Sequence, residues 1–178
     1  MRRKRVYTIM FSVCLLASLL LSATESSPGV LGVEDLKRVV PASYFFRGQS
    51  ASVQLRNTAG FRASDGKLVL AGLVDTSGYS SDVAEKYQGF LITEIKLSIE
   101  GSDLPPGQYG FGFSKQDKFT VMDVGNNDLL SVPARVDQNL QRAVPLKIVV
   151  DQGSYRLYAG KKWVSLSHNS PALRRSKT

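Results

Sequence analysis

Phe90-Leu91-Ile92-Thr93-Glu94-Ile95-Lys96-Leu97-Ser98-Ile99 decides the fold. Its apolar side chains fall on even positions at Phe90 and Ile92, then on odd positions at Ile95, Leu97 and Ile99. Successive strand residues point to opposite faces, so an uninterrupted strand would turn one of these sets toward water. Two arrangements keep both sets inside: a β-bulge near Thr93-Glu94, or a change of sheet at that point. Both require a layered β structure with a shared core.

On the N-terminal side, Ala51, Val53 and Leu55 alternate with Ser52, Gln54 and Arg56, the period of a half-buried strand. Ser64-Asp65-Gly66-Lys67 separates Phe61-Arg62-Ala63 from the apolar run Leu68 to Val74, which has the composition of a central strand. An Asp-Gly hairpin turn calls for positive φ at both central residues. On the C-terminal side, Leu104-Pro105-Pro106-Gly107-Gln108-Tyr109 turns into Tyr109-Gly110-Phe111-Gly112-Phe113, and Phe119 to Met122 follows. Leu146 to Val150, Tyr155 to Tyr158 and Trp163 to Leu166 then read as a meander with turns at Gly153 and Gly160. Turn signals about every 8–12 residues predict an all-β fold, mainly an antiparallel sandwich or barrel-like, with one short helix. That helix is expected over Ser80 to Gln88, with Ser81 as cap, Asp82 in the first turn, and Val83 and Tyr87 on one side. Glu34 to Val40 reads as a helical turn or an edge strand before Pro41.

The chain of 178 residues carries a formal charge of +8. Its location matters more than its size. Arg2, Arg3, Lys4 and Arg5 precede the apolar run Val6 to Leu21, and small residues Ser22, Ala23 and Thr24 follow, the three-part order of a secretory signal. The reading divides the chain into a signal peptide over 1–23, a linker over 24–38, a β-sandwich domain over 39–166 and a flexible basic tail over 167–178. The alternative is an uncleaved signal anchor that tethers the protein to the membrane. Cys14, the only cysteine, lies inside the apolar run, so the exported chain has neither a disulfide nor a thiolate. Arg174, Arg175 and Lys177 hold three more charges in the tail, which leaves the body close to neutral. Basic residues there alternate with acids, as in Glu94-Ile95-Lys96, and form no nucleic-acid footprint.

Chemistry-bearing patterns are sparse. The single histidine, His168, sits at the start of the tail, which disfavours a Ser-His-Asp triad, and no phosphate-cradling glycine loop or zinc pattern occurs. Cofactors are therefore expected to be none. Tyr109, Phe111 and Phe113 share one strand face and read as core, while Gly110 and Gly112 leave the other face bare for a close neighbour. Tyr79, Tyr87, Tyr158 and Trp163 are the candidate exposed contacts, with Tyr158 and Trp163 also able to pair across a hairpin. Asp123, Asn126 and Asp128 are oxygen donors of the kind calcium takes, although Asx turns account for such residues after a strand. Asp75 and Glu85 are the candidate acid and base of a carboxylate-dependent hydrolase.

The segment Ile99 to Phe113, with its Leu104-Pro105-Pro106-Gly107-Gln108-Tyr109 turn, resembles the turn-into-strand of immunoglobulin-like and transthyretin-like extracellular modules. Val40 to Glu94, with Tyr44-Phe45-Phe46-Arg47-Gly48-Gln49 and Val74-Asp75-Thr76-Ser77-Gly78-Tyr79, is similar to exported bacterial proteins of uncharacterised function. These resemblances imply a compact exported domain and no particular reaction. The expected function is a non-catalytic periplasmic or extracellular module that binds an envelope polymer, a peptide or a protein partner. It is expected to bind no nucleic acid and to have no stable membrane insertion once the signal is cleaved. The alternatives are the hydrolase and a structural subunit that associates through a sheet edge.

Overall fold

A computed structural model describes residues 28–168; the stretch read as a signal peptide and most of the stretch read as a basic tail lie outside them. Among the described residues fourteen strands and two short helices succeed one another. They are β1 (Gly29–Val30), α1 (Val33–Val39), β2 (Ser43–Phe46), β3 (Gln49–Arg62), β4 (Leu68–Val74), α2 (Ser81–Lys86) and β5 (Gly89–Thr93). Then follow β6 (Leu97–Ile99), β7 (Ser102–Leu104), β8 (Gly107–Phe113), β9 (Lys118–Met122), β10 (Asp128–Pro133) and β11 (Arg135–Val136). The meander β12 (Val144–Asp151), β13 (Ser154–Gly160) and β14 (Lys162–Ser167) ends the domain.

All pairing is antiparallel. The larger sheet runs β1-β3-β4-β5-β8-β9-β10, with β2 beside β3; the smaller runs β12-β13-β14-β6-β7, with β11 beside β14. The stretch quoted at the outset changes sheet rather than bulging: β5 belongs to the larger sheet and β6 to the smaller. Thr93 holds the crossing. Its Oγ1 donates to the Ile95 carbonyl at 2.6 Å and accepts from the Ile95 N–H at 3.2 Å. Glu94 exchanges bonds with Leu68, its N–H donating to the Leu68 carbonyl and its carboxylate accepting from the Leu68 N–H.

One core lies between the sheets. Tyr109, Phe111 and Phe113 enter it beside Phe61, Phe119, Leu157 and Val164, as the alternation along β8 predicts. A second core covers the opposite face of the larger sheet. There Tyr44 and Phe46 from β2, Leu36 from α1 and Val83 from α2 pack over Phe90 and Met122. The hairpin reaches this face because β3 is broken by a register shift between Val53 and Thr58. Gln54 bridges the break, donating from its side chain to the Val74 carbonyl at 3.1 Å and accepting from Asn57 at 2.9 Å.

The N-terminal boundary differs from the expectation. The 24–38 stretch read as a linker contains β1, paired with β3 at Arg62 and Phe61, and most of α1, whose Leu36 is buried. α1 has Glu34 and Asp35 in its first turn and Lys37 and Arg38 in its last, an order the helix dipole favours. It stops at extended Val40, the residue before Pro41. Among the described residues α1 thus takes the helical alternative expected over Glu34 to Val40 and stands beside the one short helix of the predicted fold. α2 is shorter than the Ser80–Gln88 expectation, and its N-cap is Ser80 rather than Ser81. Among the described residues no helix is long and apolar enough to cross a membrane.

Tight turns fall where glycine follows a residue that rarely favours positive φ. Arg47-Gly48, Glu100-Gly101 and Gln152-Gly153 each join paired strands with both φ values positive, the pattern of a type I′ turn. The Asp65-Gly66 turn is different: only Gly66 has positive φ, and the Ala63 N–H closes the loop on the Lys67 carbonyl. Gln152 is exposed and makes no side-chain bond, whereas Asn tolerates its left-handed conformation better. Gln152→Asn is expected to raise stability by about 0.5–1 kcal/mol, read as a higher denaturant midpoint at unchanged slope.

Candidate functional site

Gly112 sets the site's geometry. A Cβ there would lie 2.1 Å from the Lys86 carbonyl oxygen, so the bare face of β8 lets the end of α2 approach directly. Gln88 fastens the approach. Its N–H donates to the Phe111 carbonyl at 2.8 Å, and its side-chain amide donates to the Phe113 carbonyl and accepts from the Phe113 N–H, both at 3.0 Å.

The β8–β9 loop is held as firmly. Lys162 donates to the Ser114 carbonyl at 2.5 Å and pairs with Asp117 at 2.8 Å. The Ala134 N–H donates to the Asp117 carbonyl at 2.8 Å. Between helix and loop lies an open groove of about 550 Å³, lined by Asp82, Glu85 and Lys86 from α2 and by Lys115, Gln116 and Thr120 across it. Lys86 pairs with Asp128. Among the described carboxylates, all but Asp35, Asp82 and Glu85 are held by a cation, an N–H or an O–H. Two of these three line the groove, and Lys115, also without an ion pair, lines it with them.

The sequence-derived residues divide. Glu85 lines the groove; Asp75 does not. Asp75 is exposed and accepts the Ser77 N–H at 3.0 Å, a bond that holds its carboxyl below the ordinary Asp pKa. The structure therefore does not bring Asp75 and Glu85 to one cavity.

The expectation that Tyr87, Tyr158 and Trp163 are exposed contacts is corrected. Tyr87 is fully buried, stacked on Phe46 at 3.8 Å with Tyr79 edge-on at 5.2 Å. Tyr79 is half-buried, its hydroxyl in reach of the Phe46 and Gln49 carbonyls at 3.1 and 3.3 Å. Tyr158 and Trp163 pair across β13 and β14 and remain only 5% and 8% exposed. Lys147 lies over the Tyr158 ring, and Arg135 and Arg156 over the Trp163 ring, at 4.2–5.1 Å. Cation–aromatic stacking covers these rings with the protein's own side chains.

In the other loop, Asp123 accepts the N–H groups of Gly125 and Asn127 and the Asn127 side chain, all at 2.9 Å, an Asx-type turn. Asp128 is taken by Lys86. Among the described residues no group of three or more metal-ligating side chains gathers.

Sequence reasoning missed Lys115, Gln116 and Thr120 as site residues. The signal that could have found them is the glycine pair on β8, which marks where another element comes close.

Buried phenols give the fold a pH dependence. Burial raises the Tyr44 and Tyr87 pKa values well above the ordinary tyrosine range, and the neighbouring Tyr79 and Tyr44 add to the effect on Tyr87. In the unfolded chain these phenols lose their protons near pH 10 while the folded chain keeps them. Stability is then complete below about pH 9 and falls as pH rises beyond 10, by about 1.4 kcal/mol per pH unit for each buried tyrosine. Denaturant midpoints measured from pH 8 to 12 are expected to drop accordingly, and Tyr87→Phe should make the slope shallower by the contribution of one buried tyrosine, about 1.4 kcal/mol per pH unit. No family model matches the chain, and no curated protein or solved structure is significantly similar to it.

Proposed function

We propose that the chain is an exported, non-catalytic envelope or extracellular module that binds a polar polymer, peptide or protein partner in the groove between α2 and the β8–β9 loop. The observation that carries the reading is the company of unpaired Asp82, Glu85 and Lys115 around a cavity of about 550 Å³. That volume is in the range of ligand sites. Charges of both signs suit a partner segment that itself carries amino and carboxylate groups. The frame is preorganised, because the Gln88 clamp and the Lys162 anchor fix both walls before a partner arrives. The basic head and apolar run of the first 21 residues support export.

The sheet edges favour this reading over self-association. β10 carries a register shift near Leu129 and ends in Pro133, β12 has a shift after Val144 beside Pro145, and β7 is three residues long. Such features blunt an edge against strand addition.

The test is a titration of isotope-labelled protein with short dipolar peptides and with neutral oligosaccharides. Binding is expected to move the Gln88 and Gln116 side-chain amides and the Thr120 amide, and Asp82→Asn with Glu85→Gln should weaken it at least tenfold. Unmoved groove resonances with both classes would exclude the groove as a site. Turnover of an added polymer that Glu85→Gln abolishes would replace binding with hydrolysis.

A further inference from the structure

Four of the eight large apolar side chains that stay exposed among the described residues gather at one edge of the domain: Val30, Val33, Leu55 and Val150. Register places two of them together. Val30 lies opposite Phe61, Tyr155 stacks on Phe61, and Val150 lies opposite Tyr155. Val33 opens α1, and with Leu36, Leu55 and Thr58 it lines a mainly apolar groove of about 280 Å³ between the helix and β3. Single exposed aliphatics are ordinary, but a gathered set marks a contact surface.

The rim of that groove is cationic. Lys37 and Arg56 line it, and Arg38 follows Lys37 on α1. Among the described residues the side chains of Arg38 and Arg56 hold no ion pair or hydrogen bond. Of the acids on α1, Glu34 is engaged by Lys37 at 2.8 Å, and Asp35 lies back toward Gly32, where a Cβ would be 3.8 Å from its carboxylate. Exposed apolar side chains bordered by Lys and Arg are the composition of a surface that rests among lipid headgroups. A second copy of the chain fits less well, because four partly exposed aliphatic side chains fall well short of the about 800 Å² per partner that a stable interface buries.

The place of this edge in the chain points the same way. The apolar run Val6 to Leu21 ends seven residues before Gly29, the first residue of β1. Seven residues reach at most about 25 Å. Whenever that run occupies a bilayer, during export or afterwards as an anchor, the β1–α1 edge is held within this reach of the lipid surface.

We propose that the β1–α1 edge is a membrane-contact surface, on which Val33 and Leu55 enter the headgroup region of an anionic phospholipid bilayer while Arg38 and Arg56 meet the lipid phosphates. It rests on the export reading but not on the groove between α2 and the β8–β9 loop, which is lined by other residues.

The test is co-sedimentation of the chain from Thr24 onward, which keeps both cores whole, with phosphatidylglycerol-containing vesicles and with pure phosphatidylcholine vesicles. Binding is expected to the anionic vesicles only. Val33→Ser with Leu55→Ser, and separately Arg38→Gln with Arg56→Gln, should each weaken it about tenfold. Phe45→Ser, which removes an exposed apolar ring on β2, should leave it unchanged, as should Asp82→Asn with Glu85→Gln. Circular dichroism and thermal melting report that the variants remain folded. Failure to sediment with anionic vesicles would overturn the proposal, and so would a loss confined to the arginine variant, which describes adhesion by charge alone. Sedimentation velocity showing a dimer that Val33→Ser with Leu55→Ser dissolves would give the edge to a second copy instead. A groove that still takes its peptide while vesicle binding fails would leave the proposed function standing without this surface.

Discussion

Gly112→Ala is expected to destabilise the protein by about 3 kcal/mol, which lowers the melting temperature by roughly 10 °C. The added methyl has nowhere to go. It would meet the Lys86 carbonyl oxygen at 2.1 Å, a main-chain atom with no rotamer to change. β8 cannot retreat, because β5 and β9 flank it and Phe111 and Phe113 fill the layer behind it. Relief must come from α2, which would lift and break the Gln88 clamp on Phe111 and Phe113. The same shift displaces Asp82 and Glu85, so groove binding should fall together with stability. Gly78→Ala is the control: a methyl there meets nothing nearer than the Gln49 side chain at 3.8 Å, and a change below about 0.5 kcal/mol is expected. Thermal melting of both variants decides the matter, and a Gly112→Ala loss no larger than the control's would refute the close approach.

Phe46→Ala should cost about 4 kcal/mol in chemical denaturation. The ring is fully buried, stacks on Tyr87, meets Tyr79 edge-on and lies against bare Gly110, where a Cβ would come within 2.5 Å of it. Its loss leaves a void bounded by a β-strand backbone and a stacked ring, two surfaces that cannot collapse to fill it. The hairpin tip stays attached through the Arg47 N–H, which donates to the Val124 carbonyl at 2.8 Å, so the variant should still fold. Phe45, the next residue, is 60% exposed, and Phe45→Ala is expected to change stability by less than about 0.5 kcal/mol. Equal effects at the two positions would mean that the second core contributes little.

Periodicity made the sandwich legible before any coordinates. The phase change from Phe90 to Ile99 required either a bulge or a change of sheet, and the β5–β6 crossing is the second of these. Alternation of aromatics with glycines on β8 also separated a core face from a bare face correctly. A pattern of side-chain faces, however, does not reveal what covers each face. Tyr87, Tyr158 and Trp163 are polar-edged aromatics in strand or helix-end positions, the same signature whether water, Phe46 or a guanidinium lies over them. The type I′ geometry at Arg47-Gly48 and at the expected Gly153 turn is not legible in the sequence, because neither Arg47 nor Gln152 is the Asn or Asp that usually marks such turns. The groove was invisible for a different reason. Its two walls are about 30 residues apart in sequence, and only the close approach at Gly112 makes them neighbours.

The crossing between β5 and β6 has a consequence for how the protein comes apart. A domain built from two separate sheets could melt in two steps. Here one ten-residue segment is a central strand of the larger sheet at one end and hydrogen-bonded within the smaller at the other, with Thr93 and Glu94 locking the joint. Neither sheet can lose its strands without pulling on its neighbour through that joint. The two sheets are mechanically in series, which makes the sandwich a single cooperative unit, and the amides on either side of Thr93 should be among the last to exchange with solvent.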